Sequence, residues 1–432
     1  MFTYYLDLAL RSLRRNRALT ALMIVAIAFG VGASMTTLTV LHVLSADPIP
    51  GKSGDLYMVQ LDPRQARGFI PGEEPPDQVT RSDGEALLRA GKAARQVVMT
   101  SGEAAIEPAR AGLLPFFIEG RWTSADFFPM FGVPFVAGAP WTRDDDDRAA
   151  RVAVIARALA DKLFGTTDVV GRTLRTESSD LRIIGVIDTW RPTPHFYDLH
   201  SQVYGREEQI FVPFSTSREL KLPRSGSQDC WDEAPDPLAL GAPCVWLQFW
   251  AELPGKARAD AYRDFLFQYS LEQQRAGRFA RPPNVRLRDV RQWLAFSEVV
   301  PDDARLQTWI AIGFLVVCLI NTVGLLLTKF LRRSSEIGVR RALGASKRSI
   351  FVQLLVEAGM IGVVGGALGL LLAWLGLWAV RHQPADYAPL ARLDLPMLVA
   401  TFGLAVAASL IAGLLPAWRG CQVTPAIQLK SP

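Results

Sequence analysis

Histidine and cysteine are scarce: the 432 residues hold four of each. His195 and His200 flank Asp198 in PHFYDLH, a spacing able to hold a metal, but Pro192 and Pro194 make the stretch a loop, and no zinc-type spacing accompanies it. A Gly-x-Ser-x-Gly elbow and paired catalytic carboxylates in a fixed frame are both missing. GKS at 51–53 lacks the upstream glycine of a phosphate loop, with Ala46 in its place, and reads as a turn. The acidic run 144–147 lacks EF-hand spacing and reads as a solvated turn. The expectation is a non-catalytic chain that binds no metal or cofactor itself.

Charge is the next absence. Of all residues 21% are charged and 50% hydrophobic, and mean hydropathy is +0.17. Four runs are almost without charge: 18–45, 306–328, 358–380 and 395–418. Each is long enough to cross about 30 Å of hydrocarbon at 1.5 Å per residue. The first run is too long for the apolar core of a cleaved signal and reads as a retained anchor. Its helix should reach about 40 Å, projecting past the bilayer.

Basic residues then set the orientation. Arg11, Arg14, Arg15 and Arg17 precede the first span, and Lys329, Arg332, Arg333, Arg340, Arg341, Lys347 and Arg348 lie between the second and third. The loop 381–394 has only Arg381 and Arg392, offset by Asp386 and Asp394. The expectation is a multi-pass bacterial inner-membrane protein with both termini and loop 329–349 cytoplasmic, and with 46–305 on the periplasmic side. The net charge of +5 is therefore topological and does not argue for nucleic acid. Cys230 and Cys244 fall in the exported region, and in an oxidising compartment a disulfide there contributes about 3 kcal/mol. Two buried free thiols are the alternative.

Residues 1–17 place Phe2, Tyr5, Leu6, Ala9 and Leu13 on one helical face and Asp7, Arg11 and Arg14 on another, the pattern of an interfacial helix. In the exported region, DLYMVQLD, RSDGEALLRAG and RQVVMTS read strand, helix, strand, with Ser82 or Asp83 as helix cap. CVWLQFWAEL, GKARADAYRDFLFQYSLEQQRAG and NVRLRDV repeat the order. Together 46–101 and 244–300 predict a split βαβ layer, interrupted by a β-rich insertion at 102–243. The tracts 65–78 and 221–242, rich in Pro, Gly and charge, read as flexible. The fold class is thus an α-helical membrane protein with four spans plus a large extracytoplasmic α+β domain.

In the third span, 350–380, Gly362, Gly365, Gly366 and Gly369 flatten the helix for close backbone approach, and Gly30 and Ser34 do so in the first. Tight helix packing is expected from them, and a dimer interface is one form it can take. Loop 329–349 reads as a short helix capped by Ser335, a left-handed stop at Gly344, and a cap at Ser346 opening the third span. Glu357 lies near the cytoplasmic end of that span, either functional or paired with an arginine.

EIGVRRALGASKRSIFVQLLVEA, 336–358, resembles the signature of FtsX-like permeases, the membrane subunits of the MacB class of ABC transporters. ALRSLRRNRALTALMIVAIAFGV resembles their first span, VPFVAGAPWTRDDDDRAARVAVIARALADKLFG and VGRTLRTESSDLRIIGVID their periplasmic core, and LLPAWRGCQVTPAIQL their closing segment. The resemblance implies a ferredoxin-like porter subdomain with a β-rich insertion, and a dimer of eight spans formed with a second copy or a related permease. It also implies a cytoplasmic ABC ATPase subunit, carrying ATP and Mg, docked on Glu336, Ile337, Gly338, Arg340, Arg341, Ala342, Leu343, Gly344 and Ala345. A periplasmic adaptor and an outer-membrane channel are further partners of such assemblies. No nucleotide-binding segment is recognised, so the ATPase is expected on another chain. Movement of the periplasmic domains for export or extraction of a substrate is the implied function. The alternatives are an FtsX-like signalling subunit acting on an envelope partner and, more remotely, a membrane receptor.

Overall fold

The computed structural model describes residues 15–108, 112–177, 179–201, 203–383 and 387–422, with residues 5, 8, 9, 11 and 12 before them. Phe2, Leu6, Asp7, Leu13, Arg14 and Asp386, and the closing residues 423–432, lie outside the described residues. The chain divides into two units, Met1–Ser45 with Val300–Pro432, and Ala46–Val299. The first opens with helix α1 (Arg17–Leu44).

The second unit begins β1 (Leu56–Gln60), α2 (Arg81–Ala90), β2 (Arg95–Ile106). Next come β3 (Phe116–Thr123), α3 (Phe127–Phe131), β4 (Phe135–Gly138), α4 (Arg143–Asp147), β5 (Val152–Ala156) and α5 (Arg157–Phe164). The unit continues through β6 (Asp180–Ile187), β7 (Ile210–Pro213) and α6 (Phe214–Glu219) to β8 (Cys244–Glu252), α7 (Lys256–Arg275), β9 (Arg286–Asp289) and α8 (Val290–Phe296). The path through its sheet is β9-β1-β8-β2-β3-β7-β5-β6-β4. Its first four members are antiparallel and stand in the order fourth, first, third, second of a split βαβ layer.

Side-chain alternation explains why this layer sits buried between two others. Val59, Val98, Phe249 and Ala251 pack on one face with Leu87, Ala259, Tyr262 and Leu266 of the two helices. Their neighbours Met58, Val97, Met99 and Trp250 point to the other face. There they meet an aromatic cluster from the insertion, in which Phe127 lies 5.0 Å from Phe131 and Phe128 lies 4.8 Å from Trp141, edge to face.

The boundary of the insertion expected at residue 102 falls inside a strand. β2 pairs with β8 over 95–99 and with β3 over 99–106, so one strand belongs to both subdomains. Gly102 permits this, because a Cβ there would run into the Trp122 indole across the pair.

Local chemistry corrects several expectations. Thr80, rather than Ser82 or Asp83, caps α2 by accepting from the Asp83 amide. The acidic run is helix α4, closed by a Thr142–Asp145 capping box, and Asp146 turns inward to accept from the Ala125 amide at 2.6 Å and Trp141 Nε1 at 3.0 Å. Tract 65–78 is pinned: Arg281 reaches the Gln65 carbonyl and the Glu73 carboxylate, and Arg288 reaches Glu74. Lys52 of GKS donates to the Pro129 and Met130 carbonyls. Asp198 is taken by buried Arg121 at 2.6 Å, and His200 faces Asp77 at 3.0 Å. Cys230 and Cys244 are antiparallel partners at the edge of β8 and are disulfide-bonded.

The first unit resumes with α9 (Asp302–Leu331), α10 (Ser334–Ala342), α11 (Lys347–Arg381) and α12 (Leu395–Cys421). Helices α1, α9, α11 and α12, of 27 to 35 residues, are long and apolar enough to cross a membrane. Phe29, Trp309, Ile320 and Trp374 project outward, as a lipid solvent permits. Small residues hold the bundle from within. A Cβ on Gly365 would stand 2.9 Å from Ile27 of α1, and one on Gly366 would stand 2.8 Å from Ala405 of α12. Gly362 abuts Ser409, Gly369 abuts Val31, and Gly30 abuts Leu315 and Cys318 of α9. Ser34 donates to the Ala311 carbonyl at 3.0 Å. These residues therefore pack α11 and α1 against helices of the same chain.

Candidate functional site

Helix α10 joins two of the apolar helices, and its ends follow from three residues. Arg333 precedes it without a side-chain cap, so Ser335 stands inside the helix rather than at its cap. Glu336 in the first turn complements the helix dipole. Gly344, at φ +99°, takes the left-handed conformation that ends it, and Ser346 accepts from the Ser349 amide to start α11.

The helix has two faces. Ile337 and Gly338 are buried, Ile337 packing in the core of the apolar helices. Val339, Ala342, Leu343 and Gly344 are exposed, Leu343 at 83% of its surface. Arg341 and Ala345 are half-buried.

Glu336 is the hub on the inward side. Arg340 donates to it at 3.0 Å, Arg333 at 3.2 Å and Arg15 at 3.2 Å. Burial alone would raise its pKa, but the hydrogen bonds and charge of Arg333, with Arg340 and Arg15, hold it below the usual carboxylate range. Arg340 also donates to Gln353 on α11 at 3.1 Å. Glu336 and Arg340, expected from sequence to contact an ATPase, also bond within the chain.

Arg333 carries this bracing into the bundle. Its other donor reaches Glu357 at 3.2 Å and Ser12 at 2.8 Å. Glu357 in turn pairs with Lys329 at 2.7 Å, and Ser12 donates to the same carboxylate. Lys329 also donates to Thr20. Lys329 and Glu357 have side chains 0% and 1% exposed. Glu357 thus stands between two cations, Lys329 and Arg333. This one network ties the N-terminal segment, α9, α10 and α11 together.

Sequence reasoning singled out Glu357 and an arginine partner but missed Lys329, Ser12 and Thr20. A signal for the lysine exists: Glu357 is the lone charge within 350–380, and Lys329 stands where the charge-free run 306–328 ends. A buried charge in an apolar helix needs a counter-charge.

Two sequence profiles cover nearly all of the chain: the MacB-like periplasmic core domain over residues 20–264, and the FtsX-like permease C-terminal domain over residues 309–425. Among curated relatives, the macrolide export ATP-binding/permease protein MacB of Marinobacter nauticus is 25% identical over 98% of this chain and 60% of its own length. The pyoverdine export ATP-binding/permease protein PvdT of Pseudomonas aeruginosa is 24% identical over 84% of this chain and 50% of its own length. The chain therefore spans between half and two thirds of these relatives. The crystal structure of the periplasmic region of MacB from Actinobacillus actinomycetemcomitans matches 58% of this chain and 95% of its own, at 14% identity and a TM-score of 0.37. With a periplasmic-core profile over more than half its length and a permease profile over residues 309–425, the chain belongs to the MacB/FtsX-like family of ABC transporter permeases.

Proposed function

We propose that the chain is the transmembrane subunit of a MacB-type transporter in a bacterial inner membrane. In this reading α10 faces the cytoplasm and docks an ABC ATPase subunit, and unit 46–299 lies in the periplasm. A second copy or a related permease completes the dimer. ATP hydrolysis on the partner displaces α10, the spans carry the displacement, and the periplasmic units move to export or extract substrate from the outer side.

One observation carries this reading: a nine-residue helix that exposes apolar side chains outward while Arg333, bonded to Glu336 and Glu357, and Arg340, bonded to Glu336 and Gln353, fix its inner face to α11. Leu343 beside Val339 is exposed among the described residues and suits a cleft on a partner. A helix held only by its connections would bend under load, whereas one pinned through Glu336, Arg333 and Glu357 transmits it. Docking thus falls to Val339, Ala342 and Leu343 with Gly344, and Glu336 and Arg340 keep the helix rigid.

The test is Leu343→Glu in the full chain. The variant should insert and fold as the native chain does while an ABC ATPase no longer co-purifies. Retention of the ATPase at native levels would defeat the assignment. Arg340→Glu is the poorer probe, since it also breaks the bond to Glu336.

A further inference from the structure

Unit 46–299 contains a cleft of about 570 Å³ between α2 of the split βαβ layer and α6 of the insertion. Its floor is apolar, made by Leu88, Val98 and Phe214. Its polar lining is unevenly satisfied. Arg81 holds Glu85 at 2.7 Å, Arg151 stands 3.7 Å from Glu219, and Asp146 accepts from Ala125 and Trp141, so these carboxylates are engaged, while Asp147, the fourth of the lining, is exposed. Among the described residues, Arg218 Nε and Ser215 Oγ, both buried atoms of the lining, have no hydrogen-bond partner. Behind them the Trp246 indole carries two guanidinium groups, Arg218 at 5.7 Å and Arg224 at 5.2 Å. Trp246 Nε1 and Arg224 Nε are unpartnered as well.

The unmet capacity around Arg218 is therefore mostly donor, its Nη2 reaching the Leu238 carbonyl only at 3.5 Å, and burial makes a poorly paired cation costly. Burial foremost, and then Arg81, disfavour the charged form of Arg218; burial does the same at Arg224. An anion arriving at Arg218 would relieve both deficits, supplying acceptors and neutralising charge. The apolar floor beside it suits a body that water excludes.

We propose that this cleft binds an anionic amphiphile, its carboxylate, sulfonate or phosphate head against Arg218 and Ser215 and its apolar body on Leu88, Val98 and Phe214. Binding is a property of this unit alone and stands whether or not an ATPase docks on α10. Because α2 and α6 come from the two subdomains, the ligand bridges them.

The test uses the full chain carrying Leu88→Cys in phosphatidylcholine nanodiscs, with iodoacetamide modification at position 88 followed by peptide mass spectrometry. The probe is 2-naphthalenesulfonate, compared with neutral 2-naphthol. By mass action, sulfonate at about four times its dissociation constant should slow modification about fivefold, and naphthol at the same concentration should not. Arg218→Gln should abolish the protection and Arg218→Lys should keep it. No slowing by the sulfonate, or equal slowing by the alcohol, overturns the proposal without reference to any Arg218 variant. Repeating the measurement in nanodiscs with phosphatidylglycerol separates the sources. Slowing without added probe assigns the head group to a membrane lipid, and slowing by the sulfonate alone assigns it to a free amphiphile.

Discussion

Replacing Glu357 with Gln tests the joint on which the mechanism rests. Lys329 and Glu357 are 0% and 1% exposed with 2.7 Å between Nζ and Oε1, so solvent screens neither charge. Glutamine keeps the volume and can still accept from Ser12, but the Lys329 ammonium is left, among described partners, with the Thr20 hydroxyl at 3.3 Å. Breaking a buried pair by removing one member costs about 3–5 kcal/mol. Replacing both, as Lys329→Met with Glu357→Leu, removes the stranded charge and should return most of that stability. Equilibrium unfolding of the purified chain in mixed micelles, titrated with dodecyl sulfate and followed by helicity, measures both variants. Arg333 loses one of its two carboxylates in Glu357→Gln, so trypsin should also cut faster at Arg340 and Arg341. A single variant within about 0.5 kcal/mol of the native chain would refute the reasoning. So would a double variant as unstable as the single.

Three further outcomes follow from unit 46–299. Gly102→Ala drives a methyl into Trp122 and should destabilise the unit by about 1–3 kcal/mol, read as a lower thermal midpoint by tryptophan fluorescence; an unchanged midpoint would remove Gly102 as the reason β2 can serve both subdomains. Burial pushes the Asp146 carboxyl up to about 7 from an ordinary 3.8, despite hydrogen bonds from Ala125 and Trp141 that pull it down. Its folded form binds a proton that the unfolded chain has lost, so its contribution to stability falls as pH rises between about 4 and 7; Asp146→Asn should flatten that part of the stability profile, and an identical profile in both proteins contradicts the inward carboxyl. Cys230→Ser with Cys244→Ser opens the loop that the disulfide closes and should cost about 3 kcal/mol in denaturant unfolding, no loss being the adverse result.

What was legible in the sequence followed from strong local signals. Runs without charge mark the four apolar helices because hydrocarbon tolerates little else, and the strand-helix-strand flanks gave the split βαβ layer through period-2 and helical patterning. Gly344 and Ser346 announced the ends of α10 and α11, since a left-handed stop and an N-cap are chemistry of single residues. The insertion boundary was not legible, because RQVVMTSGEAAI is one continuous strand whose partner changes at Met99. The acidic run misled for a related reason: Asp144 and Asp147 are exposed, and only tertiary packing selects Asp146 for the interior. At the candidate site, the motif marks the helix, while the bonds its charges make within the chain were not legible. Glu336 bonds Arg333 and Arg340, three and four residues away, yet Arg15, which also reaches Glu336, and Glu357, which holds Arg333, come from segments distant in sequence.

In the function proposed here, α10 is a cytoplasmic docking element for an ABC ATPase. A photo-crosslinking amino acid at position 343, activated in intact cells, tests it most directly, with the adduct identified by mass spectrometry. The account expects an adduct to an ABC ATPase, weakened in the Glu357→Gln background, and labelling of a cysteine at 343 only when reagents reach the cytoplasm. Labelling of that cysteine by a membrane-impermeant reagent on unbroken cells with opened outer membranes, without any ATPase adduct, would contradict it.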